Sequence, residues 1–381
     1  MPKAARTNRF EGTLGMKAQA AVMYATNAPL KVETLDLAPP RAGEVLIRMG
    51  AAGVCHSDYH VMSGQAGHDL PVVLGHEGAG EVIAVGEGVS NLAPGDHVVL
   101  SWIPYCGDCF FCAHDQTHLC QSYKTPLWAG TMMDGTCRLT NADGPVRHLS
   151  MLACWSDTVV VPQECCIPID KSVPFEVAAL LGCAVTTGVG AVLNRARVKP
   201  DETVIVIGAG GVGLSIIMGA KLAGASCIIA IDAAGEAEAK ARDLGATDFI
   251  LASEDIPTRI ADLTEHGGDL VFEAVGKRAL QRAAIDYCRP GGQVIFVGMD
   301  HNDATIDLPS TGITRSEIIV TGSIFGSACT TRDFAAYARH FMGGDLPIDR
   351  LIGRRYGLDQ INEAIADMLA GKPGRGVILF D

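Results

Sequence analysis

Charge is sparse in this sequence, and positive charge is sparser still. Asp, Glu, Lys and Arg make up 19% of 381 residues, and 30 Lys and Arg against 43 Asp and Glu leave a formal charge of −13. Such a chain lacks the basic footprint that nucleic acid or an anionic membrane surface requires, so neither is expected as a partner. A secretory leader is missing too: the start, MPKAARTNRFEGTLG, is basic but holds no apolar core region. Residues 1–15 read as an N-terminal extension, Met16 as an alternative start, and the cytoplasm as the expected compartment. No internal repeat or low-complexity segment stands out. The longest uncharged stretch, 203–220, contains five glycines and reads as part of a nucleotide-binding unit rather than a membrane span.

Glycine, at 44, and cysteine, at 13, are abundant. Four of the cysteines crowd between Cys106 and Cys120. An odd, clustered set in a long chain points to metal ligands and reduced thiols rather than a disulfide framework. The length leaves room for two or three domains and a large core.

The stretch Val204–Asp232 reads VIVIGAGGVGLSIIMGAKLAGASCIIAID. A β-branched apolar run predicts a strand buried on both faces. The glycine-rich turn Gly208-Ala209-Gly210-Gly211-Val212-Gly213 follows, then a helical pattern that Gly224 ends, then a second strand closed by Asp232. Gly208 permits the tight turn, Gly210 keeps side chains away from a pyrophosphate, and Gly213 lets the helix pack close to the strand. The helix N-terminus offers free N–H groups to the phosphates. Asp232 stands where an acid accepts hydrogen bonds from the adenosine ribose. It would repel the extra phosphate of NADP, and Ala233, Ala234 and Gly235 supply no arginine to neutralise it, so the expected cofactor is NAD.

Before this unit the chain is rich in valine, glycine and proline punctuation as far as Trp102, a pattern of small twisted β structure. The segment 127–150 reads as irregular, and 155–162 as strand. From Pro174 a run of small apolar residues has helical spacing. Strand candidates at 270–273, 293–297 and 318–324, separated by helical patterns, predict an α/β fold with a doubly wound parallel sheet. The expected division is 1–184 with 328–381 as one β-rich domain and 185–327 as the dinucleotide-binding domain.

Cys106-x2-Cys109-x2-Cys112-x7-Cys120 is the most specific local signal. Four thiolates wrap tetrahedrally around one zinc and leave no position for substrate, so this site is structural. Cys55, His76 and Cys183 are dispersed, and spacing alone does not make them a site; a lone cysteine is usually a small buried apolar group.

The motifs GVCHSDYH, GHEGAGEV, CGDCFFCAHDQTHLC, LLGCAVTTGVGAV and VIGAGGVG, in this order, resemble the zinc-dependent medium-chain alcohol dehydrogenases. The resemblance is closest to the liver-type branch that includes the glutathione-dependent formaldehyde dehydrogenases, and it runs from about Met16 to the end. It implies a GroES-like catalytic domain and a Rossmann domain with the active site between them. It implies that Cys55, His76 and Cys183 bind a catalytic zinc, giving two zinc ions per chain, and that primary or secondary alcohols are oxidised reversibly by hydride transfer to NAD. Ser57 matches the hydroxyl that takes the alcohol proton, His60 the relay that passes it on, and Glu77 a carboxylate that tunes the metal. Thr187, Val212, Val297, Ser323 and Phe325 match positions around the nicotinamide, and Arg375 matches a basic residue on the pyrophosphate. A homodimer is the family expectation, with 298–306 and 318–324 as candidate edge strands.

Departures narrow the reading. His56 replaces an arginine that contacts the phosphates in several members, which implies looser cofactor binding or faster release. Ser63-Gly64 is followed by Gln65-Ala66-Gly67-His68, where the formaldehyde branch pairs acidic residues to hold glutathione. Trp102 stands where a pocket aromatic is usual, and its indole favours slim or flat primary alcohols. The alternatives are a glutathione-adduct dehydrogenase, a nicotinoprotein that retains its NAD, and, from another class, a zinc-stabilised redox sensor using thiols such as Cys165 and Cys166.

Overall fold

A computed structural model describes residues 15–380; apart from Gly15, the expected N-terminal extension lies outside them. The strands Met16–Met23 and Lys31–Leu37 pair antiparallel, with Met16 opposite Leu37. They close a five-stranded barrel with Leu139–Asn141, Gly144–His148 and Val72–Val73. Two of these strands lie in the segment expected to be irregular. They pair with each other as a short hairpin, but their outer partners, Lys31–Leu37 and Val72–Val73, are distant in sequence, so the short alternations at 139–148 carry little signal until the barrel closes.

A second sheet runs in the order Cys166–Ile169, His97–Leu100, Gly78–Val85, Glu44–Gly53, Arg375–Leu379, Ile352–Tyr356. The strand Thr158–Pro162 also pairs with Glu44–Gly53. The chain's last strand therefore joins a sheet built mainly from the first half of the sequence. The third sheet has six parallel strands in the order Asp248–Leu251, Cys227–Asp232, Thr203–Ile207, Gly268–Glu273, Cys288–Phe296, Ile319–Gly322. Order reverses beside Thr203–Ile207, the switch point at which open α/β sheets hold dinucleotides. Residues 298–306, expected as a candidate edge strand, form no strand; Ile319–Gly322 alone makes that edge.

The apolar run after Pro174 is two helices rather than one. Phe175–Leu181 and Ala184–Ala196 meet at a bend of 52°. Gly182 lies 2.9 Å from the Leu100 carbonyl when a Cβ is built on it, so only glycine fits the close approach. The bend puts Cys183 at the N-terminal cap of the second helix. Both helices are packed into the main apolar core with Val204, Val206, Ile216 and Ile217. Among the described residues no single helix is long and apolar enough to cross a membrane.

Candidate active site

The strand Glu44–Gly53 leads through Val54 to Cys55, which caps the helix His56–Met62. The Cys55 Sγ accepts a hydrogen bond from the Ser57 N–H at 3.4 Å. His76 and Glu77 precede the strand Gly78–Val85, and Cys183 comes from the helix bend. The structure gathers one ligand atom from each of Cys55, His76, Glu77 and Cys183, all within 4.8 Å of one another and all from buried residues.

His76 is 4% exposed, and its Nε2 has no hydrogen-bond partner. Its Nδ1 lies 3.0 Å from the Asp58 carboxylate, which also accepts the Gly75 N–H at 2.9 Å. Asp58 thus fixes the imidazole so that Nε2 faces the thiols, the usual arrangement around a metal-binding histidine. Burial disfavours a charged His76, but the charges of Asp58 and Cys55 overrule it and raise its pKa well above the ordinary value. Cys55 is held well below the usual thiol range, first by the Cys183 thiol and then, against burial, by the Arg375 and His76 charges. A buried, unpartnered imidazole nitrogen beside two thiols fits a zinc ion.

Glu77 is fully buried, and Arg375 claims both of its carboxylate oxygens. Burial raises the Glu77 carboxyl above its usual range, with Arg375 opposing. Because Glu77 is tied to Arg375, the set resolves into three ligands with a fourth position free, as in catalytic zinc sites. A Cβ on Gly53 would lie 1.8 Å from the Glu77 carboxylate, so the strand end must be glycine. Arg375 was expected on the pyrophosphate alone. It is buried here, ion-paired to Glu77, and its guanidinium comes within 3.1 Å of a Cβ built on Gly211 in the glycine turn.

The turn itself has Gly208 at φ +95°. A Cβ on Gly213 would meet the Gly208 carbonyl at 1.7 Å, whereas one on Gly210 would have no neighbour within 4 Å. The first packs the helix on the strand, and the second leaves the backbone open to a phosphate. Asp232 accepts the Ala209 N–H at 2.6 Å and the Ala234 N–H at 2.9 Å. Its carboxylate thereby braces the turn.

Thr187 and Trp102 lie beside this centre. Thr187 Oγ1 is 4.0 Å from the Cys183 sulfur. Ser57 and His60 sit one turn apart on the same helix, both half-buried. His56 reaches solvent; desolvation on its protein side, and then the Arg375 and His60 charges, outweigh Cys55 and lower its pKa. Val212 is half-buried, while Val297, Ser323 and Phe325 are buried. Phe325, Gly326 and Ser327 take φ of 50°, 64° and 50°, a run that non-glycine residues adopt only when packing imposes it. Trp102 meets His76 edge-on at 6.1 Å between centroids and Phe325 at 5.2 Å, so an indole walls one side of the metal set.

The second cluster is compact. The Cys106–Cys112, Cys109–Cys112, Cys109–Cys120 and Cys120–Cys106 sulfur separations are 3.9, 3.5, 3.9 and 3.6 Å. Four thiolates at about 2.3 Å from one zinc stand about 3.8 Å apart, so the cluster has the size of a tetrahedral site. Two features escaped sequence reading. Asp58 carried a faint signal as an acid inside the VCHSDYH ligand segment, and the Glu77–Arg375 pair spans 298 positions and carried none.

Comparison with known proteins agrees with this geometry. Residues 41–171 match the alcohol dehydrogenase GroES-like domain and 211–342 the zinc-binding dehydrogenase domain. The chain is 38% identical over 375 residues to an S-(hydroxymethyl)glutathione dehydrogenase of Escherichia coli (strain SMS-3-5 / SECEC), covering 96% of this chain and 100% of that one. It is 36% identical over 368 residues to an NDMA-dependent alcohol dehydrogenase of Amycolatopsis methanolica, covering 96% and 99%. Among solved structures, benzyl alcohol dehydrogenase from Acinetobacter calcoaceticus superposes with a TM-score of 0.91 at 29% identity, covering 96% and 100%. The three-ligand set with its free fourth position, the four-thiol cluster, the glycine turn at the switch point and these relatives lead to one assignment: the chain belongs to the zinc-dependent medium-chain alcohol dehydrogenases, enzymes of the GroES-like plus Rossmann fold.

Proposed function

We propose that this enzyme oxidises slim or flat primary alcohols to aldehydes with NAD, reversibly. The observation that carries the reading is the Cys55–His76–Cys183 set, whose imidazole Nε2 is buried without a partner while Glu77 is held away by Arg375. Cys55, His76 and Cys183 would hold a zinc that supplies the acidification of an alcohol hydroxyl, and a bound NAD would supply the hydride acceptor. The chain's own residues do the rest. Ser57 takes the hydroxyl proton, and His60 passes it to solvent. Thr187, Val212, Val297, Ser323 and Phe325 hold the nicotinamide ring, His56 and Arg375 face the pyrophosphate, and Gly208, Gly210, Gly211 and Gly213 let it approach. Asp232 supports NAD over NADP by its charge. Trp102 and Phe325 restrict the space beside the metal, which supports narrow or planar substrates, and a structural neighbour is a benzyl alcohol dehydrogenase.

The described residues of 1–184 with 328–381 make up the catalytic domain in this reading and 185–327 the nucleotide domain. A homodimer forms through the sheet edge Ile319–Gly322, where Ile319 is 54% exposed. The thirteen cysteines are all unpaired, which supports a reducing, cytoplasmic setting. Cys165 and Cys166 are buried and burial raises both thiols, so they lack the exposed thiolate a redox sensor needs.

Two relatives favour second readings. One acts on S-(hydroxymethyl)glutathione, yet residues 63–68 here contain no acid. The other depends on NDMA, which favours a nicotinoprotein. The test is turnover by zinc-loaded protein: NADH formation, followed by near-ultraviolet absorbance, with NAD and a panel of alcohols or formaldehyde plus glutathione, and loss of the NDMA colour with an alcohol and no added NAD. Turnover of benzyl or short primary alcohols with free NAD supports the proposal. A signal that requires glutathione, or that requires NDMA, replaces it by the corresponding reading.

A further inference from the structure

Beside the nicotinamide positions Val297 and Ser323 lies a cavity of about 400 Å³. Leu119, Phe296, Met299 and Ile324 give it apolar walls, and Arg195 is the cation among its lining residues, with no carboxylate there. Arginines such as Arg48, Arg138, Arg289 and Arg355 are ion-paired elsewhere in this acidic chain. Arg195 donates to the Thr321 hydroxyl and makes no ion pair among the described residues. Two buried polar atoms without a partner, His118 Nδ1 and Ser323 Oγ, belong to residues lining the same cavity. Ser323 is 8% exposed. Unpartnered buried polar groups cost free energy and mark places where a polar ligand group fits.

We propose that this cavity seats an anionic group, a carboxylate or its equivalent, at the far end of the alcohol substrate, with Arg195 as its counter-charge. The inference rests on the alcohol dehydrogenase reading above and narrows its substrate class to alcohols that carry an acid beyond an apolar body. Arg195 offers a planar fork of donors that matches a carboxylate. The apolar walls take the hydrocarbon or ring between the reacting carbon and the acid. Arg195 touches neither metal nor reacting atoms in this arrangement; it sets specificity.

The test compares benzyl alcohol, 4-(hydroxymethyl)benzoate and the methyl ester of that acid, with wild-type enzyme and Arg195→Gln. The wild type is expected to prefer the acid to the ester. Arg195→Gln should raise KM for the acid about tenfold, the scale of one charge-assisted hydrogen bond, while leaving kcat and the benzyl alcohol reaction unchanged. The wild-type preference should weaken with added salt and the variant's should not. Arg195→Lys should restore part of the preference, which separates lost charge from misfolding. Equal changes on acid and ester, no change on either, or a wild-type preference for the ester overturns the inference while leaving the alcohol dehydrogenase reading intact. No turnover of any of the three by zinc-loaded enzyme overturns both.

Discussion

His148 and His56 illustrate how surroundings set the use of one residue type. His148 is fully buried, and its Nε2 accepts the Arg138 N–H at 2.9 Å. Burial, with the Arg138 charge behind it, lowers its pKa to about 3. Above its ordinary pKa of about 6.5 both folded and unfolded chains are neutral there. As pH falls from 6.5 towards 3 the unfolded chain takes up a proton that the folded one refuses, so stability is lost across that window. Between pH 7.5 and 5 this amounts to about 2 kcal/mol at His148. His148→Gln, whose amide oxygen replaces the Nε2 acceptor, should remove that part of the pH slope in urea unfolding; an unchanged slope would show that His148 does not titrate this way. His56, proposed above to face the pyrophosphate, reaches solvent and also has a lowered pKa. His56→Arg supplies a permanent charge. It should tighten NAD roughly tenfold by fluorescence titration and slow turnover if NADH release limits it. Unaltered NAD affinity would place the pyrophosphate out of reach of residue 56.

At the scale of elements, the loop 106–120 and the helix bend at Cys183 give the two thiol clusters different tasks. The loop closes four sulfurs on one another, with backbone donors from Cys106 and Cys109 also reaching sulfur. No ligand position remains for substrate. The bend sets Cys183 opposite Cys55 and His76 with Glu77 withdrawn. Cys109→Ser should therefore lower zinc content from about two to about one per chain and reduce the thermal midpoint, with residual alcohol turnover per remaining folded enzyme. Cys55→Ser should cost one zinc as well, but abolish turnover with a smaller change in the thermal midpoint. Metal analysis paired with thermal scans separates the two, and identical behaviour of the variants would refute the division of labour. Both elements also show how unevenly sequence reveals structure. The four cysteines of the loop fall within fifteen residues, so spacing alone identified them. The break at Gly182 was invisible in a run of small apolar residues whose spacing suits one helix, because it is imposed by the approach of the Leu100 carbonyl.

For the whole molecule, Arg375 joins three regions: the final strand, the metal-binding segment through Glu77, and the glycine turn through Gly211. Burial opposes its charge, but Cys55 and Glu77 hold its pKa well above the ordinary range. Arg375→Ala should leave Glu77 buried and unpaired and cost about 3–5 kcal/mol in urea unfolding. Adding Glu77→Gln should recover much of that stability without recovering NAD affinity, since the pyrophosphate still lacks its cation. Recovery of both, or of neither, would show that the pair does not link metal and cofactor sites. This linkage also marks the limit of sequence reading. The glycine turn with Asp232 and the four-thiol loop are local devices, in which a few adjacent residues must satisfy one geometry, so the sequence by itself determined them. Strong local periodicity likewise determined the parallel sheet. Cys55, His76 and Cys183 gained meaning only from resemblance, because nothing in their spacing requires them to meet. The tertiary structure decided what depends on distant segments closing together: the barrel strands at 139–148, the orientation of His76 by Asp58, and the hold of Arg375 on Glu77. Contacts across such separations are set by packing of whole sheets, and no local pattern encodes them.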